Sequence, residues 1–153
     1  MFSALERREG IDPDHVIEEI YEILLPYDVS IIAREDRLKE AIDQIETIQK
    51  EEIPHLYALD PHNLRLALEV QNMCLVAEMF LRSRLMRTES RETCLREDFP
   101  YVDNENWLKW TCLKQEAGEM KLYTEDLPLE RYKVKPDRRR FLHPLFEVAK
   151  KRS

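Results

Sequence analysis

Hydrophobic residues recur along the first two thirds of the chain with helical spacing, and along the next part with strand spacing. In IDPDHVIEEIYEILL (residues 11–25), Val16, Ile17, Ile20, Ile23 and Leu24 form one apolar stripe between acids. Asp12 is placed to cap this helix, Pro13 suits its first turn, and Pro26 ends or kinks it. The following YDVSIIA either resumes the helix or runs as a short extended link. A second helix is predicted from about Glu35 to Ile53, with Leu38, Ile42, Ile45 and Ile48 on its buried face and Pro54 as its stop. A third starts at the cap-plus-proline pair Asp60-Pro61 and reads NLRLALEVQNMCLVAEMFLRSRLM. Its apolar residues cover almost the whole circumference, which predicts a central helix packed on several sides.

Beyond Pro100, WLKWTCLKQEAGEMKLYTEDL alternates bulky and polar residues around the turn-like EAGE. This predicts a hairpin with strands near Asn106–Leu113 and Met120–Thr124. The remainder, punctuated by Pro128, Pro136 and Pro144, reads as an extended tail. The expected fold is therefore mainly α: a three-helix antiparallel, spectrin-repeat-like bundle over residues 1–100, a hairpin extension packed on it over 101–127, and a basic tail over 128–153.

Composition sharpens this picture by exclusion. Two glycines, Gly10 and Gly118, cannot build a GxGxxG turn or a P-loop, and neither GxSxG nor HExxH occurs. A net charge of −7 argues against nucleic acid as a partner. The charge is uneven: residues 131–153 hold nine Lys or Arg against Asp137 and Glu147, a net of +7, leaving −14 on the rest. Such a tail could dock on its own body, on a partner or on a polyanion. Three cysteines without a CxxC pair suit a reducing, cytoplasmic setting. No apolar run is long enough for direct membrane insertion, and the first ten residues lack a signal-peptide core.

Candidate chemistry is sparse. His55 and His62 flank one helix connection but lack a third ligand, so no metal is expected. Cys94 lies in sequence among Arg87, Arg91 and Arg96, yet no histidine stands close enough in sequence to serve it as a base. Glu69, Asn72 and Glu78 fall in the all-round apolar third helix. Buried polar groups must be paired, with Arg82 and Arg84 as the candidate partners, or else face a site that another domain completes.

The stretch RTESRETCLREDFPYVDNENW, Arg87 to Trp107, is too ionic for a core and has no glycine. A helix end exposes carbonyls that Arg87 and Arg91 could satisfy. Glu89 and Asp98 could pair with Arg91 and Arg96, and Trp107 could cover the bundle end.

In this stretch the series Glu89-Ser90-Arg91, Arg96, Asp98, Pro100, Asp103 and Asn106-Trp107 resembles the C-terminal helical domain of fumarate reductase and succinate dehydrogenase flavoproteins. L-aspartate oxidase and adenylylsulfate reductase are relatives of that family. Upstream, LEVQNMCLVAE is similar to its long central helix, with Glu69, Asn72 and Glu78 in matching places, and LPYDVSIIAREDRLKEAIDQI to its first two helices. The likeness spans roughly residues 12–126. It implies a three-helix bundle with a hairpin-like extension, packed against an FAD-binding domain on the same or a separate chain. It also implies that flavin-binding and active-site groups come from that other domain. This chain alone would then bind no FAD and catalyse nothing. An iron–sulfur subunit is an implied redox partner, and an isolated piece could form a homodimer through its uncovered docking face. Two positions depart from the family: Glu92 stands where Gly is common, and Cys94 where His is common. The rival reading is an independent helical module for protein interaction.

Overall fold

The structure, a computed structural model, describes Arg7 and residues 9–152. The mainly α class holds. Helix α1, Pro13–Leu24, starts as its capping residues predict, with the Asp12 carboxylate accepting from Asp14 N at 3.0 Å. After Pro26 both expected alternatives occur in turn: a single helical turn α2, Tyr27–Ser30, and then a short strand β1, Ile32–Ala33.

Helix α3, Glu35–Thr47, is shorter than its apolar pattern suggests. Ile48–Glu52 widens into a π-helical turn and Ile53–His55 tightens into a 3-10 turn. Pro54, which has no N–H to donate, falls in that tight turn, so the chain leaves the helix by steps. Helix α4, Pro61–Met86, begins with Asp60 accepting from Asn63 N at 2.9 Å.

The core lies where α1, α3 and α4 meet. It takes Val16 and Ile20 from α1, and Leu38, Ala41, Ile42 and Ile45 from α3. From α4 it takes Ala67, Val70, Cys74, Ala77 and Leu81. Those five positions advance by three and four residues in alternation, a narrow seam and not a full circumference. Helix α4 is central, as expected, and packs against both α1 and α3, but its apolar residues are not buried all round. Val76 is 62% exposed, Phe80 46% and Leu75 44%. Apolar composition alone cannot distinguish a central helix from one with an apolar face turned outward.

Gly10 permits a close approach at the other end of the core, because a Cβ there would stand 2.4 Å from His55 O. Ile11 N can then donate to His55 O at 2.9 Å, and Tyr57 N to Ile11 O at 3.2 Å.

After α4, strand β2, Leu95–Arg96, pairs in parallel with β1 through Ile32–Leu95 and Ala33–Arg96. Strand β3, Tyr101–Asp103, is followed by a hairpin of β4, Lys109–Glu116, and β5, Glu119–Asp126. The hairpin is as expected in kind and shifted in bounds. Asn106 and Trp107 are drawn into a turn on Asp103, whose carboxylate accepts from Glu105 N and Asn106 N. The tip is a two-residue turn with positive φ at both Ala117 and Gly118, which matches the strand twist.

The tail differs more from its extended reading. Strand β6, Arg140–Leu142, pairs antiparallel with β3, and helix α5, Pro144–Arg152, follows it. Asn104 Nδ2 donates to Asp137 O at 2.6 Å, and the Arg140 guanidinium lies 4.7 Å from the Tyr101 ring centroid. Of the three destinations open to the basic segment, part of it takes its own body. Strand pairing over a gap of about forty residues leaves no local periodic signal.

Candidate functional site

The chain reverses direction at the end of α4, where three arginines meet two carboxylates and a fourth, Arg84, binds backbone carbonyls. Arg96 is fully buried and spans the helix end. Its Nη1 donates to the carbonyls of Arg84 at 2.9 Å, Leu85 at 3.1 Å and Arg87 at 3.0 Å. Its Nε and Nη2 form a two-pronged pair with Asp98 at 2.9 and 2.7 Å. Arg96 therefore satisfies the last helix carbonyls, a role expected of Arg87 and Arg91. Asp98 also accepts from Glu35 N at 3.1 Å, which ties the corner to the start of α3.

Glu89 is the second hub and is also fully buried. Its Oε1 accepts from Arg87 Nε and Arg91 Nε, each at 2.8 Å. Its Oε2 accepts from Arg91 Nη2 and from Asp103 N, each at 2.9 Å. A buried carboxylate must replace its lost hydration with donors, and these four supply it. Arg87 continues to Trp107 O at 2.8 Å and lies 5.0 Å from the Trp107 ring centroid. Trp107 Nε1 donates to Thr88 Oγ1 at 2.9 Å. Ser90 Oγ accepts from Arg96 N at 2.8 Å and lies 2.9 Å from Phe99 O. The corner thus brings together Arg87, Glu89, Ser90, Arg91, Arg96, Asp98 and Trp107. The pairings of Arg91 with Glu89 and of Arg96 with Asp98 follow expectation.

Asp103 extends the network. Burial would raise its carboxyl; hydrogen bonds from the Asn106 side chain and backbone, with the charge of Arg140, outweigh this and hold it below the ordinary carboxylate range. Glu92, in the tight turn between Arg91 and Cys94, has φ 49°. The left-handed conformation that favours glycine is kept, with a side chain in it.

Arg84, expected to serve the polar residues of α4, does something else. It is 4% exposed, and it donates to the carbonyls of Val29, Ser30, Ile31 and Leu95 at 2.7–3.1 Å. It thereby closes α2 and β1 onto the corner. Burial pulls this guanidinium below the usual arginine value. Its position one turn beyond Leu81 on the core seam was the available signal, and the polar residue type hid it.

The other polar residues of α4 separate from the corner. Glu78 pairs with Arg82 at 2.6 Å and accepts from Gln49 Nε2 at 3.1 Å, joining α4 to the π-helical turn that follows α3. Glu69 pairs with Arg65 along the helix surface, and Asn72 is exposed. Glu69 and Asn72 instead line an open groove of about 570 Å³ between α1 and α4, whose apolar walls include Tyr21, Leu24, Met73, Val76 and Phe80.

Fold and site together define a mainly α domain closed at one end by a buried ionic corner. The sequence matches the family described as fumarate reductase flavoprotein C-term over residues 21–141, and the chain belongs to that family. It is 36% identical over 91 residues to an uncharacterised FAD-dependent oxidoreductase of Methanocaldococcus jannaschii, a match covering 60% of this chain and 16% of that one. It is 35% identical over 98 residues to a component of the fumarate reductase (CoM/CoB) of Methanothermobacter marburgensis, covering 61% of this chain and 18% of the relative. The chain thus spans less than a fifth of these relatives.

Among solved structures, Mycobacterium smegmatis Sdh1 in complex with UQ1 superposes with a TM-score of 0.70 at 23% identity, covering 78% of this chain and 21% of that one. The Sdh1 complex in its apo form gives 0.67 at 23% identity, with 81% and 22% covered. These two likenesses concern the fold. No helix among the described residues is long and apolar enough to cross a membrane.

Proposed function

We propose that this chain is the C-terminal helical domain of an FAD-dependent oxidoreductase of the fumarate reductase and succinate dehydrogenase type. In this reading α1, α3 and α4 form an antiparallel bundle that seats on the flavin-bearing domain, carried on the same or a separate chain. The bundle supports that domain and shapes the approach of a redox partner such as an iron–sulfur protein. FAD and the reacting groups belong to the other domain, and the chain alone is inactive. The assembly works in the cytoplasm.

The observation that carries this reading is the groove between α1 and α4. Tyr21, 51% exposed, stands with Val76 and Phe80 on one face, while the opposite stripe of α4 fills the core. An outward apolar face of this kind marks an interaction surface, because covering what remains exposed removes further apolar area from water. Glu69 and Asn72, which also line the groove, supply the polar contacts that fix orientation. The relatives' remaining length provides the occupant.

The test is a tagged pull-down from native lysate, read by flavin absorbance and mass spectrometry. The expected result is a yellow complex containing an FAD-binding domain. A colourless complex with unrelated partners would replace this reading with an independent interaction module.

A further inference from the structure

Four guanidinium groups crowd the end of α4, and the carboxylates beside them are too few to balance the charge. Arg87 and Arg91 share the single carboxylate of Glu89, and Arg96 has Asp98. Arg84 has no carboxylate partner among the described residues; backbone carbonyls hold its two terminal nitrogens. Its Nε is the one buried side-chain nitrogen or oxygen among the described residues that lacks a hydrogen-bond partner. A cation this deeply buried, with a donor unspent, points to an anion that the chain itself does not supply. The shortage of acids is local, because the chain as a whole carries a net charge of −7.

Arg84 and Arg87 line one cleft of about 350 Å³, and no carboxylate lines it. Phe80 forms one wall. Hydroxyl groups reach it from three separate places: Ser83 on α4, Thr93 in the tight turn that follows, and Thr111 on β4. The hydroxyls of Ser83 and Thr93 have no hydrogen-bond partner among the described residues. Arg87 Nη1 meets Lys109 O and Thr111 Oγ1 only at 3.3 and 3.4 Å, the long limit for such bonds, so it too can turn to a better acceptor.

We propose that this cleft is a binding site for a phosphate group, either free or borne by a larger molecule. The anion supplies the charge that Arg84 lacks, while Arg87 Nη1 and the hydroxyls of Ser83, Thr93 and Thr111 donate to its oxygens. Guanidinium groups are the donors that phosphate oxygens take best. A tetrahedral anion presents acceptors on several sides at once, as donors from three elements require, whereas a planar carboxylate would leave some of them unmet. Phe80 also lines the groove between α1 and α4, so the site adjoins that surface without depending on what covers it.

The experiment titrates inorganic phosphate into the full chain near neutral pH, with chloride replaced so that ionic strength stays constant. Nitrogen–proton NMR correlations are followed, including those of the arginine Nε–H groups. Phosphate should move the Arg84 Nε–H signal and the Ser83, Thr93 and Thr111 amides along one saturating curve. The exposed residues Lys133, Arg138 and Arg139 of the basic tail serve as controls and should show no saturation. Ser83→Ala and Thr93→Val, which leave the ion pairs of the corner in place, should each weaken binding at least about fivefold. Arg84→Met should abolish it; if this variant does not fold, the two hydroxyl variants decide. Phenyl phosphate binding as tightly as inorganic phosphate would assign the site to a phosphoryl group on a larger molecule, and weaker binding would assign it to the free anion. No saturable shift over chloride, saturation centred on the tail, or hydroxyl variants that both bind like the unaltered chain would each overturn the proposal.

Discussion

The seam between α1, α3 and α4 and the corner after α4 are both buried, yet they are built on different principles. The seam is additive. Val16, Ile20, Leu38, Ile45, Val70 and Leu81 each remove apolar surface from water, and no one of them specifies the others. The corner is stoichiometric. Arg96 uses five hydrogen bonds on three carbonyls and one carboxylate, and Glu89 receives donors from two arginines and a backbone N–H. Taking one member out of the seam leaves a cavity. Taking one out of the corner leaves buried groups unpaired, which is costlier for each atom lost. A chain reversal that must hold one geometry is better fixed by the second kind of packing.

The largest expected effect therefore lies in the corner. Arg96→Met should destabilise the chain by about 3–5 kcal/mol, because three carbonyls at the end of α4 and Asp98 lose their donor at once. Urea denaturation measures it, and a loss below that of a seam truncation would collapse the distinction between the two regions. Leu81→Ala in the seam should cost about 3 kcal/mol, from lost transfer energy and the cavity left behind. The same denaturation series checks this value.

A pH series sharpens the comparison further. The folded chain holds the Asp103 carboxyl below its ordinary range, so an unfolded chain takes up its proton first as pH falls. The stability Asp103 contributes is present above about pH 4 and is lost as the pH drops through its lower folded value. Asp103→Asn should flatten part of the decline in urea midpoint below about pH 5, with little effect of pH change above that. An unaltered acid slope would remove Asp103 from the network's charge balance. The smallest effect is a gain. Glu92→Gly should stabilise by roughly 0.5–1 kcal/mol, as relief of the left-handed φ outweighs the added freedom of the unfolded chain. A rise in thermal midpoint of a few degrees would register it.

What was legible in the sequence follows the same division. Helix starts were readable at Asp12-Pro13 and Asp60-Pro61 because caps act within one turn. The members of the corner were readable as a group, and two of its ion pairs with them. The wiring to the helix carbonyls was not, since it depends on how far the chain swings round between Met86 and Leu95 before Arg96 points back. Arg84 was hidden for a related reason: a charged residue on a core seam reads as an error until the carbonyls of α2 and β1 are seen around it. The apolar face of α4 reads as core, although the seam occupies only the steps from Ala67 to Leu81. An apolar face turned outward and one buried in the chain have the same composition. The return of β6 to β3 was invisible for want of any local signal.

The central claim is that the groove between α1 and α4 seats a flavin-bearing domain. It is tested most directly by comparing the unaltered chain with a Val76→Asp/Phe80→Asp variant as tagged baits in native lysate, after circular dichroism has shown equal helix content. The account predicts that the unaltered chain retains a flavin-containing partner and that the variant loses it. A variant that keeps the yellow complex in full would contradict the account.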